Sequence, residues 1–217
     1  MGKLSRKERE KLQRRNMIID SAEELISELG FENSTMDQIA ERAEVGKGTL
    51  YLHFKSKSAI YLAICERGSS LLNKQIAAIL TQDITGIEMV LDIGKVYLKF
   101  VQDNPQYFYA FNYYEGIMAD EDKRDGEIAM QCEQNAKDAI TYIVRALQIG
   151  MQDGSIDDSY NPNQLGVMIW GASRGLINVA FQKNQKQHFK LLDDVDVSLD
   201  TLIGGFIQLV GSGISKK

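Results

Sequence analysis

Residues 35–57 read TMDQIAERAEVGKGTLYLHFKSK, and this stretch decides the fold. Thr35 followed three residues later by Gln38 is the pattern of a capping box, which predicts the start of a short helix. Its inner face is formed by apolar side chains at helical spacing, namely Met36, Ile39, Ala40 and Ala43. Residues 44–46 predict a tight turn, and a further short helix follows over residues 47–54. Two short helices joined in this way form a helix-turn-helix.

The residue types of the two predicted helices suit both packing and DNA recognition. Small side chains are needed where the helices cross, and Ala40 and Ala43 supply them. Apolar anchors stand behind the second helix at Val45, Leu50 and Phe54. The outer face carries groups that suit a major groove about 12 Å wide, namely Lys47, Gly48, Thr49, Tyr51 and His53. The stretch therefore predicts an element that reads the major groove.

Helices are also predicted on both sides of this element. An amphipathic helix over residues 14–29 is indicated by apolar side chains at Ile18, Ala22, Leu25 and Leu29. Gly30 follows it as a residue suited to the left-handed end of a helix. Ser56 is a suitable cap for a fourth helix that continues to about Leu80, and residues 81–86 form a break.

Helical periodicity resumes after the break, over residues 87–103, 105–118, 127–153, 163–183 and 195–211. Pro105 and Pro162 stand where helices begin, a position at which the missing N–H costs nothing. With 44% hydrophobic residues and two prolines, the composition favours an all-α chain of about nine helices. We expect a basic arm over residues 1–14, a helix-turn-helix domain over 15–75 with the motif at about 35–54, and a second helical domain over 85–217.

Two runs, GFENSTMDQIA at residues 30–40 and AEVGKGTLYLHFKSK at residues 43–57, resemble the helix-turn-helix of the TetR family of regulators. The resemblance covers roughly residues 15–75. It implies a three-helix DNA-binding domain followed by a helical ligand-binding and dimerisation domain. The implied function is that of a sequence-specific transcriptional regulator, a ligand-responsive repressor that acts as a homodimer on a near-palindromic operator. The chain departs from the family's pattern at Glu44, where glycine is common, and at Gly46, where serine is common.

The resemblance assigns contacts with double-stranded operator DNA to seven residues: Thr35, Lys47, Gly48, Thr49, Tyr51, His53 and Lys57. Lys47 and Thr49 begin the recognition helix and are the expected base-edge contacts, with Lys47 reaching guanine. Gly48 lets the backbone approach the DNA closely. Tyr51 and His53 resemble the family's phosphate-contacting pair. Thr35 caps helix two. Lys57 adds positive charge to the start of helix four, where a helix N-terminus already favours phosphate.

The charge of the chain is unevenly distributed. Residues 1–15 carry a net charge of +5, whereas the whole chain carries −5. An acidic body with one basic end suits a partner that touches that end only. The arm over residues 3–15 could lie in a minor groove or on the phosphate backbone. The alternative is a solvated, frayed N-terminus.

The C-terminal half contains a predicted dimer interface. Gly171 and Gly175 lie four residues apart in an apolar stretch, a spacing that lets two helices approach closely. The expected contacts across a two-fold axis are Ile169, Ala172, Leu176, Leu202 and Phe206. The alternative is that both segments only close the core of the monomer.

Residues 97–118 are rich in aromatic side chains, which could line an apolar pocket for a small-molecule effector. The expected lining residues are Tyr97, Phe100, Phe111, Tyr114, Glu115, Met118, Trp170 and Arg174. We expect an apolar or aromatic effector, and Glu115 among the rings would suit a cationic one. The alternative is a core whose tyrosines face solvent and whose Glu115 is exposed.

Other functional classes are disfavoured. The chain has two histidines, no phosphate-loop glycine pattern and no metal-ligand cluster at standard spacing, so we expect no catalytic activity, no metal and no cofactor. A helical interaction protein that no longer binds DNA is the second alternative. Such a protein would be expected to lose the polar set of residues 47–57, which is intact here.

The cysteine and hydropathy patterns predict a cytoplasmic protein without a membrane partner. Cys65 and Cys132 lie far apart in helical segments, which suits reduced side chains rather than a disulfide. Residues 165–181 are nearly free of charge, but Arg174 lies near the middle and three glycines interrupt the stretch. A buried helix is therefore predicted there rather than a membrane span.

Overall fold

The computed structural model describes residues 5–118, 126–184 and 194–216. Within these ranges the chain forms nine α-helices: α1 (Arg6–Leu29), α2 (Met36–Arg42), α3 (Lys47–His53), α4 (Lys57–Ile79), α5 (Gly86–Asp103), α6 (Pro105–Met118), α7 (Glu127–Asp153), α8 (Pro162–Asn184) and α9 (Leu199–Ile214). The prediction of an all-α chain with about nine helices is confirmed. No helix in the described ranges has both the length and the apolar character that crossing a membrane requires.

Several helix ends follow directly from local sequence. Thr35 forms a capping box with Gln38 at the start of α2, as the spacing predicts. Thr85 and Glu88 form another at the start of α5. Such boxes satisfy backbone N–H groups that have no partner inside the helix.

Two helix starts differ from the sequence prediction. α1 begins at Arg6 rather than at residue 14, because Ser5 and Glu8 form a capping box that the apolar periodicity does not reveal. α9 begins at Leu199 rather than at residue 195, because the Ser198 hydroxyl accepts a hydrogen bond from the backbone N–H of Thr201 and caps the helix there.

The described helices divide between two compact units, the first made of residues up to 69 together with 106–133. Its core contains the fully buried side chains Ile18, Ile19, Ile39, Leu50, Phe54, Ile60, Ile64 and Phe108. α6 packs on α4 at Gly68, where an added Cβ would lie 2.5 Å from the ring of Tyr107. The first unit therefore contains α6 and the start of α7 in addition to α1, α2, α3 and the first part of α4.

The second unit consists of residues 70–105 and 134–217, described through residue 216. Its core includes Leu147, Ile156, Ile177 and Ile203, all nearly inaccessible to solvent. α5 and α7 approach closely at Gly86, where a Cβ would lie 2.0 Å from the backbone nitrogen of Gly150. Side chains larger than hydrogen would therefore force these helices apart.

Candidate nucleic-acid interface

The α2–turn–α3 segment of the first unit has the packing that its sequence predicts. Ala40 and Ala43 are 3% and 4% exposed, so small side chains do occupy the inner face of this segment. Leu50 on α3 and Phe54 at its end are also buried. Because these anchors fix one side of α3, the opposite side of the helix faces solvent.

The turn between the helices places its two unusual residues in different conformations. Glu44 has a φ of 52°, the left-handed region that favours glycine. Gly46 has a φ of −64° and a ψ of 147°, which any residue can adopt, and it caps α3 without a side-chain hydrogen bond. The position that calls for glycine is thus occupied by glutamate, and the position that calls for a capping side chain is occupied by glycine.

Lys47 stands at the start of α3 with its side chain 68% exposed. Its ammonium lies 2.7 Å from the Asp37 carboxylate in the first turn of α2. This hydrogen bond and the negative charge of Asp37 raise the pKa of Lys47, so the residue stays cationic. A cationic, exposed lysine at this place can donate to phosphate oxygens or to base edges.

The remaining exposed surface of α3 combines open and bulky positions. A Cβ added at Gly48 would meet nothing within 4 Å, so a large partner can approach the backbone there. Tyr51 is 44% exposed and Thr49 is half-buried. Leu52 is 71% exposed, a feature that the sequence analysis missed. The signal was present, because Leu52 lies two residues after the buried Leu50 and therefore on the far side of the helix.

His53 ends α3 and is half-buried. Burial lowers its pKa, and the positive charges of Lys11, Arg14 and Arg15 lower it further. The guanidinium of Arg15 lies 5.3 Å from the centre of the Phe54 ring. Basic residues of α1 thus lie beside the end of α3.

Thr35 and Lys57, the outermost of the seven predicted DNA contacts, make internal hydrogen bonds. The Thr35 hydroxyl is bonded to Gln38 within the capping box. The Lys57 ammonium donates to the backbone carbonyls of Phe31 at 2.6 Å, Ser34 at 2.9 Å and Glu32 at 3.4 Å. These bonds hold the segment between α1 and α2, and they occupy the three N–H groups of the ammonium.

Ion pairs and hydrogen bonds join the helices of the first unit to α1. Arg42 at the end of α2 donates to both Glu28 oxygens, at 2.7 and 2.6 Å, which ties α2 to α1. Arg67 on α4 binds Asp20 and Glu23 of α1. Tyr107 on α6 donates to Glu23 over 3.3 Å, so three helices meet at one carboxylate.

The predicted effector contacts are distributed over both units. Tyr97, Phe100, Trp170 and Arg174 belong to the second unit, where the Arg174 guanidinium lies 5.2 Å from the centre of the Trp170 ring. Phe111 and Tyr114 belong to the first and are half-buried. The side chains of Glu115 and Met118 lie outside the described residues. Across the described ranges, no group of three or more potential metal ligands is found.

The predicted dimer contacts lie on α8 and α9 in the second unit. Ala172 is exposed, whereas Ile169, Leu176, Leu202 and Phe206 are half-buried. Other large apolar side chains on these two helices are more exposed, namely Val167 at 52%, Met168 at 67% and Leu209 at 70%. The predicted dimer contacts did not include Val167 or Met168.

Comparison with known proteins identifies relatives of the region that contains the α2–turn–α3 segment. Residues 18–64 match the family described as bacterial regulatory proteins, tetR family. A stretch of 55 residues is 42% identical to the HTH-type transcriptional activator FasR of Mycolicibacterium smegmatis and covers 25% of each chain. A stretch of 47 residues is 45% identical to the biofilm operon icaADBC HTH-type negative transcriptional regulator IcaR of Staphylococcus aureus, covering 22% of this chain and 25% of IcaR. The matched part thus spans about a quarter of the length of these curated relatives.

The fold of the whole chain is similar to that of solved structures. One is the transcriptional regulator FadR of Bacillus subtilis, crystallised in complex with stearoyl-CoA. It superimposes with a TM-score of 0.67 over 91% of this chain and 98% of FadR, at 22% sequence identity. At this identity the likeness shows a shared fold, an N-terminal helix-turn-helix domain followed by a helical domain.

Proposed function

Because the chain belongs to the TetR family of bacterial regulatory proteins, we propose that it is a ligand-responsive transcriptional repressor that binds a near-palindromic operator as a homodimer. The family consists of regulators rather than enzymes. The observation that carries the proposal is the outer face of α3, where Lys47, Gly48 and Tyr51 are exposed while Leu50 is buried. This arrangement presents a cation, an open backbone and a ring to a partner.

The dimensions of α3 support major-groove binding. Seven residues at 1.5 Å per residue give a helix about 10 Å long, and a helix about 10–12 Å wide fits a groove about 12 Å wide. Lys47 at its first turn is placed to donate to guanine, and Thr49 to a neighbouring base edge. Tyr51 and His53 would bind flanking phosphates. The charge and the hydroxyl groups of this face suit DNA.

Homodimerisation is supported by an apolar stripe on α8 and α9. Val167, Met168, Gly171, Ala172 and Gly175 share one exposed face of α8 at helical spacing. On α9, Leu209 is 70% exposed, and the exposed Gly205 and Gly213 lie one helical turn before and after it. A second copy of this chain is the proposed occupant, because two such pairs of helices would form a self-complementary four-helix interface. Two reading helices would then meet half-sites about 34–36 Å apart.

The effector is proposed to be a small molecule with an apolar part. Aromatic side chains of the second unit support this, with Tyr97 and Trp170 half-buried. The FadR protein of similar fold was crystallised with stearoyl-CoA, so acyl-CoA thioesters are the first compounds to test. An effector can act only through different affinities for the DNA-binding and the non-binding conformations.

DNA binding is tested by selecting duplexes from a random pool and then titrating the enriched sequence at fixed salt. We expect Lys47→Ala to weaken binding to that sequence by about 5- to 150-fold. The matched control is Lys95→Ala, because Lys95 is 66% exposed and pairs with Asp92 over 2.8 Å, much as Lys47 pairs with Asp37. No enriched sequence, or equal losses in the two variants, would refute the proposal.

Dimerisation and effector binding need separate measurements. Sedimentation should give a dimer for the wild-type protein and a monomer for the double variant Met168→Glu/Leu209→Glu, whereas Leu71→Glu, at an exposed position on α4, should remain dimeric. A monomeric wild-type protein would contradict this part of the proposal. An acyl-CoA that raises the melting temperature should also lower the affinity for the selected duplex.

A further inference from the structure

Three aromatic rings from three different elements of the first unit form one cluster. Phe31 lies in the segment between α1 and α2, Tyr61 lies on α4, and Tyr113 lies on α6. The ring centres are 4.4 Å apart for Phe31 and Tyr61, 4.5 Å for Phe31 and Tyr113, and 4.8 Å for Tyr61 and Tyr113. Each ring therefore contacts the other two, at distances where aromatic pairs attract each other beyond the effect of burial.

Tyr113 is also joined to the start of α4 by its hydroxyl group. The hydroxyls of Tyr113 and Ser58 share a hydrogen bond of 2.8 Å. Ser58 follows Lys57 in the first turn of α4, and the Lys57 ammonium binds the Phe31 carbonyl at 2.6 Å. α6 thus contacts Phe31 through its ring and the same turn of α4 through its hydroxyl.

The segment that contains Phe31 leads directly into α2 and is tied together by hydrogen bonds. The Asn33 amide donates to the Leu29 carbonyl at 3.0 Å, and the Ser34 hydroxyl donates to the Phe31 carbonyl at 2.9 Å. Ser34 is buried, and Thr35 beside it caps α2. Because these bonds connect the residues on either side of Phe31, a displacement of its ring would be passed on to the start of α2.

α2 is in turn joined to α3. The backbone N–H of Val45 donates to the Ala40 carbonyl at 3.0 Å, and Lys47 donates to Asp37 at 2.7 Å. Leu50 of α3 is fully buried and anchors its inner side. The orientation of α3 therefore depends on where the segment before α2 is held.

We propose that Tyr113 is a positioning residue for operator recognition: its ring holds Phe31, and through it α2 and α3, in the orientation in which α3 reads base edges. The inference rests on the DNA-binding function proposed above. Tyr113 belongs to the aromatic run at residues 97–118 from which the sequence predicts an effector pocket. Its ring packs instead against the segment that precedes the helix-turn-helix.

A positioning role has a distinct signature in DNA binding. Hydrogen bonds to base edges weaken steeply with distance and angle, so they require one orientation of α3. Attraction between cations and phosphates does not depend on sequence and supplies essentially all non-specific binding. Loss of the Tyr113 ring should therefore weaken specific binding more than non-specific binding. A role confined to stability would lower both affinities by the same factor, because an unfolded fraction binds neither duplex.

The test compares the affinities of the full chain for the selected duplex and for an unrelated duplex of equal length, at fixed salt and well below the melting temperature. Tyr113→Ala should lower the affinity for the selected duplex by at least about five-fold, the smallest effect typical of one mismatched base pair. Its affinity for the unrelated duplex should change by less than about two-fold, because the cations of the surface are retained.

Conservative variants separate the ring from the hydroxyl. Tyr113→Phe keeps the ring and Ser58→Ala removes the partner of the hydroxyl, so both should keep the ratio of the two affinities within about two-fold of the wild-type value. The matched control is Tyr142→Ala, which removes a half-buried ring from α7 in the second unit and should also keep the ratio.

Three results would overturn the inference alone: an unchanged ratio in Tyr113→Ala, equal losses of the two affinities, or the same loss of ratio in Tyr113→Phe as in Tyr113→Ala. A wild-type protein that binds no sequence preferentially would reject the proposed function as well. Circular dichroism and thermal unfolding of each variant establish that the helices are intact at the temperature of the titration.

Discussion

The Lys47 ammonium donates to the Asp37 carboxylate across 2.7 Å, which joins the first turn of α3 to the first turn of α2. Both side chains are more than 60% exposed, so the pair lies on the surface and Lys47 can exchange Asp37 for another hydrogen-bond acceptor. A phosphate or a guanine edge must therefore compete with Asp37 for the lysine. The aspartate also places a negative charge on the surface that we propose faces DNA.

Replacement of Asp37 should strengthen DNA binding. In Asp37→Asn the lysine is released and the local repulsion of phosphate is removed, so we expect a two- to five-fold gain in affinity, on the order of one exposed ion pair. The gain should appear with unrelated duplexes too, because it is mainly electrostatic. Titration by fluorescence anisotropy measures it, with Asp92→Asn as the control that removes an equivalent pair from α5. A loss of affinity in Asp37→Asn would show that the carboxylate orients Lys47 usefully.

Glu44 is the one residue other than glycine with positive φ among the described residues, which makes the turn a site of backbone strain. Glu44→Gly should relieve the clash of its Cβ, and part of the gain is offset by the flexibility of glycine in the unfolded chain. We expect a net stabilisation of about 0.5–1 kcal/mol in thermal unfolding. Glu44→Ala retains a Cβ and should give no such gain. Equal stability of the Gly and Ala variants would refute the strain argument.

The sequence shows that Glu44 and Gly46 depart from the family's pattern, but it does not show that the backbone of Glu44 adopts a positive φ. The helical spacing of apolar residues and the Thr35–Gln38 capping box predict α2 and α3, because those signals are local. The helical extension of α1 before residue 14 was missed because its side chains have no apolar period, and only the Ser5–Glu8 box marks its start. The distribution of predicted effector residues over two units depends on tertiary packing, which spacing does not encode.

Lys57 shows how a contact distant in sequence can change the interpretation of a site residue. The carbonyl groups that it binds belong to residues that lie 23 to 26 positions earlier in the sequence, a separation that no local sequence pattern reveals. Its ammonium also lies 4.2 Å from the centre of the Phe31 ring. We therefore expect its main contribution to be structural.

Lys57→Met should destabilise the protein by about 2–4 kcal/mol, since carbonyl groups that bond to a charged donor lose it. Thermal or denaturant unfolding measures this loss. Affinity for the selected duplex, measured well below the melting temperature, should keep its salt slope. Lys55→Met is the matched control, because Lys55 makes one exposed hydrogen bond to the Tyr51 carbonyl and should cost less than about 0.5 kcal/mol. A reduced salt slope without destabilisation would instead support the phosphate contact predicted from sequence.

Arg67 compensates the partly buried carboxylate of Glu23. Burial raises the pKa of Glu23, while Arg67 and the Tyr107 hydroxyl lower it, and burial prevails. Arg67→Ala should cost about 2–4 kcal/mol at neutral pH, because it leaves that carboxylate without its cation. The measurement is unfolding free energy at about pH 5 and about pH 7.

The sign of the pH effect follows from the raised pKa of Glu23. A group with a raised pKa in the folded state binds protons more readily there, so its contribution is present at low pH and is lost as pH rises through the folded pKa. Removal of Arg67 raises the pKa of Glu23 further. The deficit of Arg67→Ala should therefore be smaller at about pH 5 than at about pH 7. Arg145→Ala, at an exposed position of α7, should show no such difference, and a pH-independent deficit in Arg67→Ala would contradict this explanation.

Leu52 is the most exposed large apolar residue of α3, and it lies opposite the buried Leu50. In the major groove, the group that such a side chain can contact is the methyl of thymine. We expect one operator position where replacing thymine by uracil weakens binding roughly four-fold, the value of about 0.8 kcal/mol for one buried methyl group. Leu52→Ala should bind the thymine and uracil duplexes equally. Leu71→Ala, at another exposed leucine, should retain the difference. If no thymine of the operator shows a methyl effect that depends on Leu52, the residue faces solvent in the complex and α3 reads sequence through its polar groups alone.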